Sequence, residues 1–231
     1  MPRHALLNNI DHRDLRVSTR HGAGVDDAAM SVVTFPGEFR ALQAYYPIVF
    51  QKDAQGVFHP LALLGLQPGQ NLFLRGDRWD AHYVPMAVER QPFAIGRDAQ
   101  GEPMLHVDLE HPRIDPQGEP LFLEHGGHAP LLQHMVALLR TLHDGLAGNG
   151  AFVQALLSHE LLESFVLDVK LTGGQEIHLR GCYTIHEERL RALDGEALQA
   201  LSRAGHLEPI YMALASMTHL RDLIGRLEQY A

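Results

Sequence analysis

The chain has 231 residues, 45% of them hydrophobic, a single cysteine and a formal net charge of −9. A chain of this size buries about 70% of its unfolded surface, so one folded unit is stable on core burial alone. A lone Cys182 excludes an internal disulfide and any multi-cysteine zinc or iron–sulfur site.

The basic residues are almost all arginine, with only Lys52 and Lys170 as lysines, and they are spread among acids rather than gathered in a stripe. Binding a phosphate backbone needs such a stripe to displace counterions, so nucleic acid is not an expected partner. The N-terminus, MPRHALLNNIDHRDLRV, lacks the continuous apolar core of a signal peptide. No segment approaches the roughly 18 apolar residues that span a bilayer. The expectation is a soluble cytoplasmic protein with no transmembrane segment.

Residues 1–30 are polar and rich in turn formers, including Asn8, Asn9, Gly22 and Gly24, and read as an extended N-terminal arm. From Ser31 to Leu123 short apolar runs punctuated by Pro and Gly read as strands: SVVTF, YYPIVF, VFHPLALLGL, NLFL, HYVPMAV, FAIG, MLHVDL and PLFL. The interruption EFRALQAY, with Phe39, Leu42 and Tyr46 at helical spacing after Pro36 and Gly37, predicts a short helix. From Pro130 the period changes to three or four, through Leu131, Leu132, Met135, Leu138, Leu139 and Leu142, which predicts a helix ending near Gly145. Residues 151–163 repeat the pattern, giving an αα-hairpin across the Gly148–Gly150 turn.

SFVLDVKL and QEIHLRGCYTI then alternate as two strands, with Gly173-Gly174 between them as a two-residue hairpin turn. Residues 186–193 and 195–204 predict short helices, and 209–230 one longer terminal helix with Pro209 in its first turn. The sum is an α+β fold: a largely antiparallel sheet, helices packed on one side, and a helix-rich C-terminal half. Residues 31–231 are expected to form a single domain. The terminal helix carries a stripe of Tyr211, Leu214, Met217, Leu220, Leu223 and Leu227. Such stripes are usually core, but an end helix this apolar is also a candidate homodimer contact.

The 16 histidines invite a metal reading. Its sharpest form is His106-Val107-Asp108, with His111 three residues on, because an H-x-D on one face of a strand, joined by a distant third ligand such as His125, His128, His134 or His143, is how two-His-one-carboxylate oxygenases hold iron. Loose spacing of this kind arises easily in a histidine-rich chain, and the competing reading is a strand end before a His111-Pro112 turn. His125 and His128 lack a thiol or carboxylate beside them and read as a surface loop. Ser158-His159-Glu160 cannot act in series, since consecutive helical residues point in different directions. Cys182 sits in an apolar strand with no adjacent His or Lys and reads as a small buried hydrophobe. Gly22-Ala-Gly24 and GLAGNG at 145–150 lack the Lys of a phosphate-cradling loop. No metal, cofactor or catalytic set is therefore assigned.

The strongest functional concentration lies between residues 71 and 91: Asn71, Arg75, Arg78, Trp79, Asp80, His82, Tyr83, Arg90 and Gln91. Trp and Tyr supply rigid contact area with a polar edge, and Arg a planar fork, which is the composition of a partner-binding patch. Arg75, Trp79, Asp80, Tyr83 and Arg90 are the candidate ligand-binding residues. The competing reading has Trp79 and Tyr83 filling the core and the arginines pairing with nearby acids.

YYPIVF, LALLGL, GQNLF, RWDAHYVP and QPF follow one another over residues 45–93, and their order and spacing resemble SapC family proteins. The resemblance runs from LLNNIDHRDLRV almost to the C-terminus. It is to the bacterial group named for surface layers, not to the membrane-spanning peptide-transporter permeases that share the name. It implies Pro112-Arg113 and Gly118-Glu119-Pro120 as typical features, other residues at the positions of His106 and His111, no established catalytic residues, and a link to surface-layer or outer-membrane uptake systems. The combined expectation is a SapC-like, non-enzymatic binding or accessory protein for a peptide or protein partner, with a two-His-one-carboxylate metalloenzyme as the alternative.

Overall fold

The computed structural model describes residues 3–97, 100, 102–174 and 176–229. In chain order the elements are β1 (His4–Leu6), β2 (Arg16–Val17), β3 (Ser31–Val33), α1 (Phe39–Leu42), β4 (Ile48–Lys52), β5 (Phe58–Leu63), β6 (Leu74–Arg75), β7 (Arg78–Trp79), α2 (Met86–Glu89), β8 (Phe93–Arg97), β9 (Pro103–Asp108) and β10 (Glu119–Pro120). The C-terminal part is richer in helix: α3 (Pro130–Ala147), α4 (Asn149–Ser158), β11 (Leu162–Lys170), β12 (Glu176–Ile185), α5 (Glu187–Arg191), α6 (Gly195–Arg203), α7 (Leu207–Ser216) and α8 (His219–Glu228). Every strand pairing is antiparallel, and the fold is α+β as expected. The chain divides into two compact units, Met1–Ala28 with Leu74–Asp144 and Ala29–Phe73 with Gly145–Ala231.

The first unit holds a three-stranded sheet in the order β1-β9-β8. The segment read as an arm thus supplies an edge strand, His4–Leu6, in register with His106–Asp108, and β2 pairs with β10. The core gathers Val17, Phe93, Val107, Leu121 and Phe122 against Leu132, Met135 and Leu139 of α3, three of the apolar residues whose spacing predicted that helix. Gly118 stands where the chain has no room for a side chain: a Cβ there would lie 2.4 Å from the Val17 carbonyl carbon. HYVPMAV is not a strand. Pro85 (φ −56°) caps the short helix α2, because a proline supplies no ladder hydrogen bond and its fixed φ suits a helix start.

The second unit is built on a five-stranded sheet in the order β11-β12-β4-β5-β3. Helix α7 packs against β12 and β4, and α4 against β5. Phe152 of α4 is fully buried, with ring centroids 5.9 Å from Phe39 of α1, 6.3 Å from Phe50 of β4 and 5.4 Å from His206.

In the long hairpin the register shifts between the Phe165–Cys182 and Leu167–Leu179 pairs. β12 therefore bulges at Arg180-Gly181, Gly181 taking φ +75°, and Leu179 and Cys182 both point inward although they are three positions apart. The turn is longer than a two-residue Gly-Gly loop. The last pair is Lys170 with Glu176, because Leu171 leaves the ladder to be buried; Gln175, read as the start of β12, lies outside the described residues. Cys182 is buried, and burial raises its thiol pKa.

The terminal helix is two helices rather than one. α7 ends at Ser216 and α8 starts at His219, which re-phases the apolar stripe. The buried face of α7 is Pro209, Ile210, Ala213 and Ser216, while Tyr211 is 51% exposed. Ser216 explains its place at this break. Its hydroxyl donates to the Ala213 carbonyl at 2.6 Å and accepts the Ile48 N–H at 2.8 Å, so it serves the first N–H of strand β4 in a fully buried position. Ser216→Ala is expected to leave that N–H unsatisfied and to cost about 1–3 kcal/mol, read as a lower urea midpoint at unchanged m; an unchanged midpoint would refute the role.

Candidate functional site

Residues 74–93 leave the β6–β7 ribbon, pass through α2 and enter β8. The ribbon pairs Leu74 with Trp79 and Arg75 with Arg78, and the Asp77 carbonyl accepts the His21 N–H at 3.3 Å. Trp79 meets the His21 ring edge-on, centroids 5.4 Å apart and planes at 63°. The His21 ring in turn borders a cavity of about 360 Å³, within the roughly 300–1,000 Å³ of small-ligand sites. Its walls come from three stretches of the first unit: Val17 to His21, His82 to Phe93, and α3 through Leu131, His134 and Met135, with Arg113 at its base.

Arg113 organises this base. Its side chain is 3% exposed, and its Nη2 donates to both oxygens of the fully buried Asp27, at 2.8 and 3.0 Å. Nη1 reaches the Ser18 carbonyl at 3.5 Å, and the Ser18 N–H returns a bond to the Arg113 carbonyl at 2.8 Å. Asp27 also accepts the Gly22 N–H at 3.0 Å, and His21 Nδ1 lies 3.1 Å from the same oxygen. Because a carboxylate can only accept, Nδ1–H donates there. Burial pushes the Asp27 pKa up, but the His21 hydrogen bond, the Arg113 charge and the N–H of Gly22 outweigh it and hold the carboxyl below its usual range.

Two buried side-chain atoms of residues that border the cavity, Gln91 Oε1 and Arg113 Nε, have no hydrogen-bond partner within the protein. At the rim, His134 Nε2 sits 2.7 Å from Glu89 Oε1, both side chains partly exposed. The apolar part of the lining is Val17, Val84, Phe93, Leu131 and Met135, and Thr19, His82 and Tyr83 add polar groups to it. His111 accepts the Arg113 N–H through Nδ1 at 3.1 Å; burial and the nearby guanidinium lower its pKa, so the neutral ring is favoured.

Tyr83 lines the cavity and Trp79 adjoins it through His21. Arg75 and Asp80 form an exposed pair at 3.5 Å on the ribbon, and Arg90 turns its Nη1 to the Phe93 carbonyl at 2.7 Å. The reading of 71–91 left out Ser18, His21, Asp27, Glu89, Arg113 and His134; for these the available signal was the Pro112-Arg113 pair.

His106 and Asp108 lie two apart on β9. Asp108 Oδ1 accepts the N–H groups of Arg3 and Glu110, at 2.9 and 3.1 Å, and the His106 ring occupies the space over Gly96, where a Cβ would come within 2.5 Å of it. Among the described residues no three His, Cys, Asp or Glu side chains converge in a metal-holding group. His128 packs edge-on to Phe122 at 6.1 Å, and Ser158 bonds back to the Ala155 carbonyl rather than to His159.

The fold and cavity define an α+β protein with a ligand-sized pocket in its first unit and, among the described residues, no helix long and apolar enough to cross a membrane. The chain belongs to the SapC family: the family model described as SapC matches residues 7–223. No curated protein and no solved structure matches it significantly.

Proposed function

We propose that the protein is a non-enzymatic binding or accessory protein that holds a peptide or protein partner by taking part of that partner into the first-unit cavity. The observation that carries the reading is the cavity itself: about 360 Å³, with Tyr83 in its wall and a base held rigid by the buried Arg113–Asp27 pair. Rigid walls lower the ordering cost of binding. The aromatic groups at its side, Tyr83 and the Trp79–His21 pair, supply contact area of the kind that anchors partners. Arg75, Asp80 and Arg90 serve the ribbon and the turn that shape the wall, while the link to surface-layer or outer-membrane systems rests on the family resemblance alone.

A photoreactive benzoylphenylalanine at Thr19, an exposed cavity residue, is expected to capture one discrete partner in the cells that make the protein. The same group at Tyr211 of α7 is not. Equal capture at both positions, or none at Thr19, would remove the reading. Fractionating the cross-linked cells also tests the expected cytoplasmic location.

A further inference from the structure

Strand β11 lies at the edge of the five-stranded sheet, paired with β12 on one side and, among the described residues, with no strand on the other. We infer that this free side is a dimer interface, on which β11 of a second copy of the chain pairs antiparallel and joins the two sheets into one. The surface belongs to the second unit and does not depend on the cavity being a site. The Leu161 carbonyl accepts the His186 N–H at 2.9 Å, so Leu161 turns toward β12, and with it every second residue after it. The residues between, Leu162, Ser164, Val166, Asp168 and Lys170, turn their N–H and C=O groups outward, and no backbone bond to them is made from another described residue. Natural sheets shield such an edge with a proline, a bulge or a covering element. β11 carries no proline, and the bulge sits on β12, which leaves β11 continuous. Val166, at its middle, is 53% exposed.

The edge is complementary to itself in one register. With Val166 on a twofold axis, Leu162 pairs with Lys170 of the other copy, Ser164 with Asp168, and Val166 with its own equivalent, so every outward residue of the strand finds a partner. Moving the axis one residue either way leaves Leu162 or Lys170 off the ladder. The side chains agree with the same register. On the half-buried row of Phe165, Leu167 and Val169, Phe165 meets Leu167 of the other copy. On the exposed row the Ser164 hydroxyl donates to Asp168 of the other copy, whose carboxylate is held within its own chain by His178 at 2.6 Å and Arg180 at 3.3 Å and keeps lone pairs to spare. Glu163 meets Val169 and Lys170 meets Leu162, so no like charges stand opposite one another. A strand of unrelated sequence would have to match both rows, whereas a second copy does so by symmetry.

Light scattering of the full chain at rising concentration is expected to show a monomer–dimer equilibrium. In this register the two Val166 Cα atoms lie about 5.5 Å apart, the spacing of a hydrogen-bonded antiparallel pair and within disulfide reach. Val166→Cys should therefore form an intermolecular disulfide under mild oxidation, whereas Ile10→Cys, at a side chain 83% exposed, should not; the native Cys182 is buried. Val166→Pro removes an outward N–H and leaves the β12 ladder intact. It is expected to raise the dimer dissociation constant at least about tenfold, the scale of the two axial hydrogen bonds lost. Val166→Lys sets like charges on the axis and should weaken the dimer as well, with the circular dichroism of the monomer unchanged, so a folding defect in the proline variant cannot mimic the result. A chain that stays monomeric at every concentration would overturn the interface. So would equal cross-linking of the two cysteine variants, or a dimer that Val166→Pro and Val166→Lys both leave intact.

Discussion

Arg113→Met is expected to destabilise the first unit by about 3–5 kcal/mol, the cost of stripping one partner from a buried ion pair. Asp27 is fully buried and takes two hydrogen bonds from the guanidinium; without it, a carboxylate held away from water loses its paired cation. The double variant Asp27→Leu/Arg113→Met is expected to lose less than the single one, because no charge is left stranded. Trp79 is the chain's only tryptophan and stands against His21, so its fluorescence during urea unfolding reports on this unit.

The pair also sets a pH dependence. The Asp27 pKa is depressed in the fold, so its contribution is complete above the ordinary carboxylate pKa of about 3.9 and is lost as pH falls through the lower folded value. The stability gap between wild type and Arg113→Met should narrow in strong acid, and a gap that stays constant there would show that the pair is not what the substitution removed. His111 adds a second slope of the same sign. Its folded pKa is lowered, so the unfolded chain binds more protons and stability declines as pH drops below about 6.5.

Phe152→Ala is expected to cost the second unit about 3–5 kcal/mol. The ring is fully buried where α1, β4 and the residue before α7 meet, in contact range of Phe39, Phe50 and His206. Truncation removes its transfer free energy and leaves a cavity that three separate elements would have to close together, which close packing resists. Phe152→Leu should recover much of the loss. Hydrogen exchange in β4 and β12 is the suited measurement, and a loss below about 1 kcal/mol would place Phe152 outside the core that holds this sheet.

Much of the architecture was legible because its signals are local. The three-to-four spacing of Leu132, Met135, Leu139 and Leu142 identified α3, the Phe39–Leu42 pair identified α1, and the alternation around Ile177 and Leu179 identified β12. Errors arose where one residue overrides a period. Pro85 turned an apolar run into a helix start, Ser216 ended a helix whose stripe reads on unbroken, and Gly181 let β12 bulge. The site was legible in part for the same reason. Tyr83 and Trp79 stood out by residue type, whereas Arg113 and Asp27 are 86 positions apart and neither carries a local mark of the other.

The sequence by itself determined the α+β class, most of the elements and the membership of the SapC family, since periodicity, turn chemistry and block order are properties of neighbours along the chain. Only the tertiary structure decided that Arg75 and Asp80 stay on an exposed ribbon, and that Arg113 and Asp27 are buried together beside a cavity. The physical reason is that burial and hydrogen-bond satisfaction depend on which groups meet in space, and Arg113 and Asp27 lie on chain segments 86 positions apart.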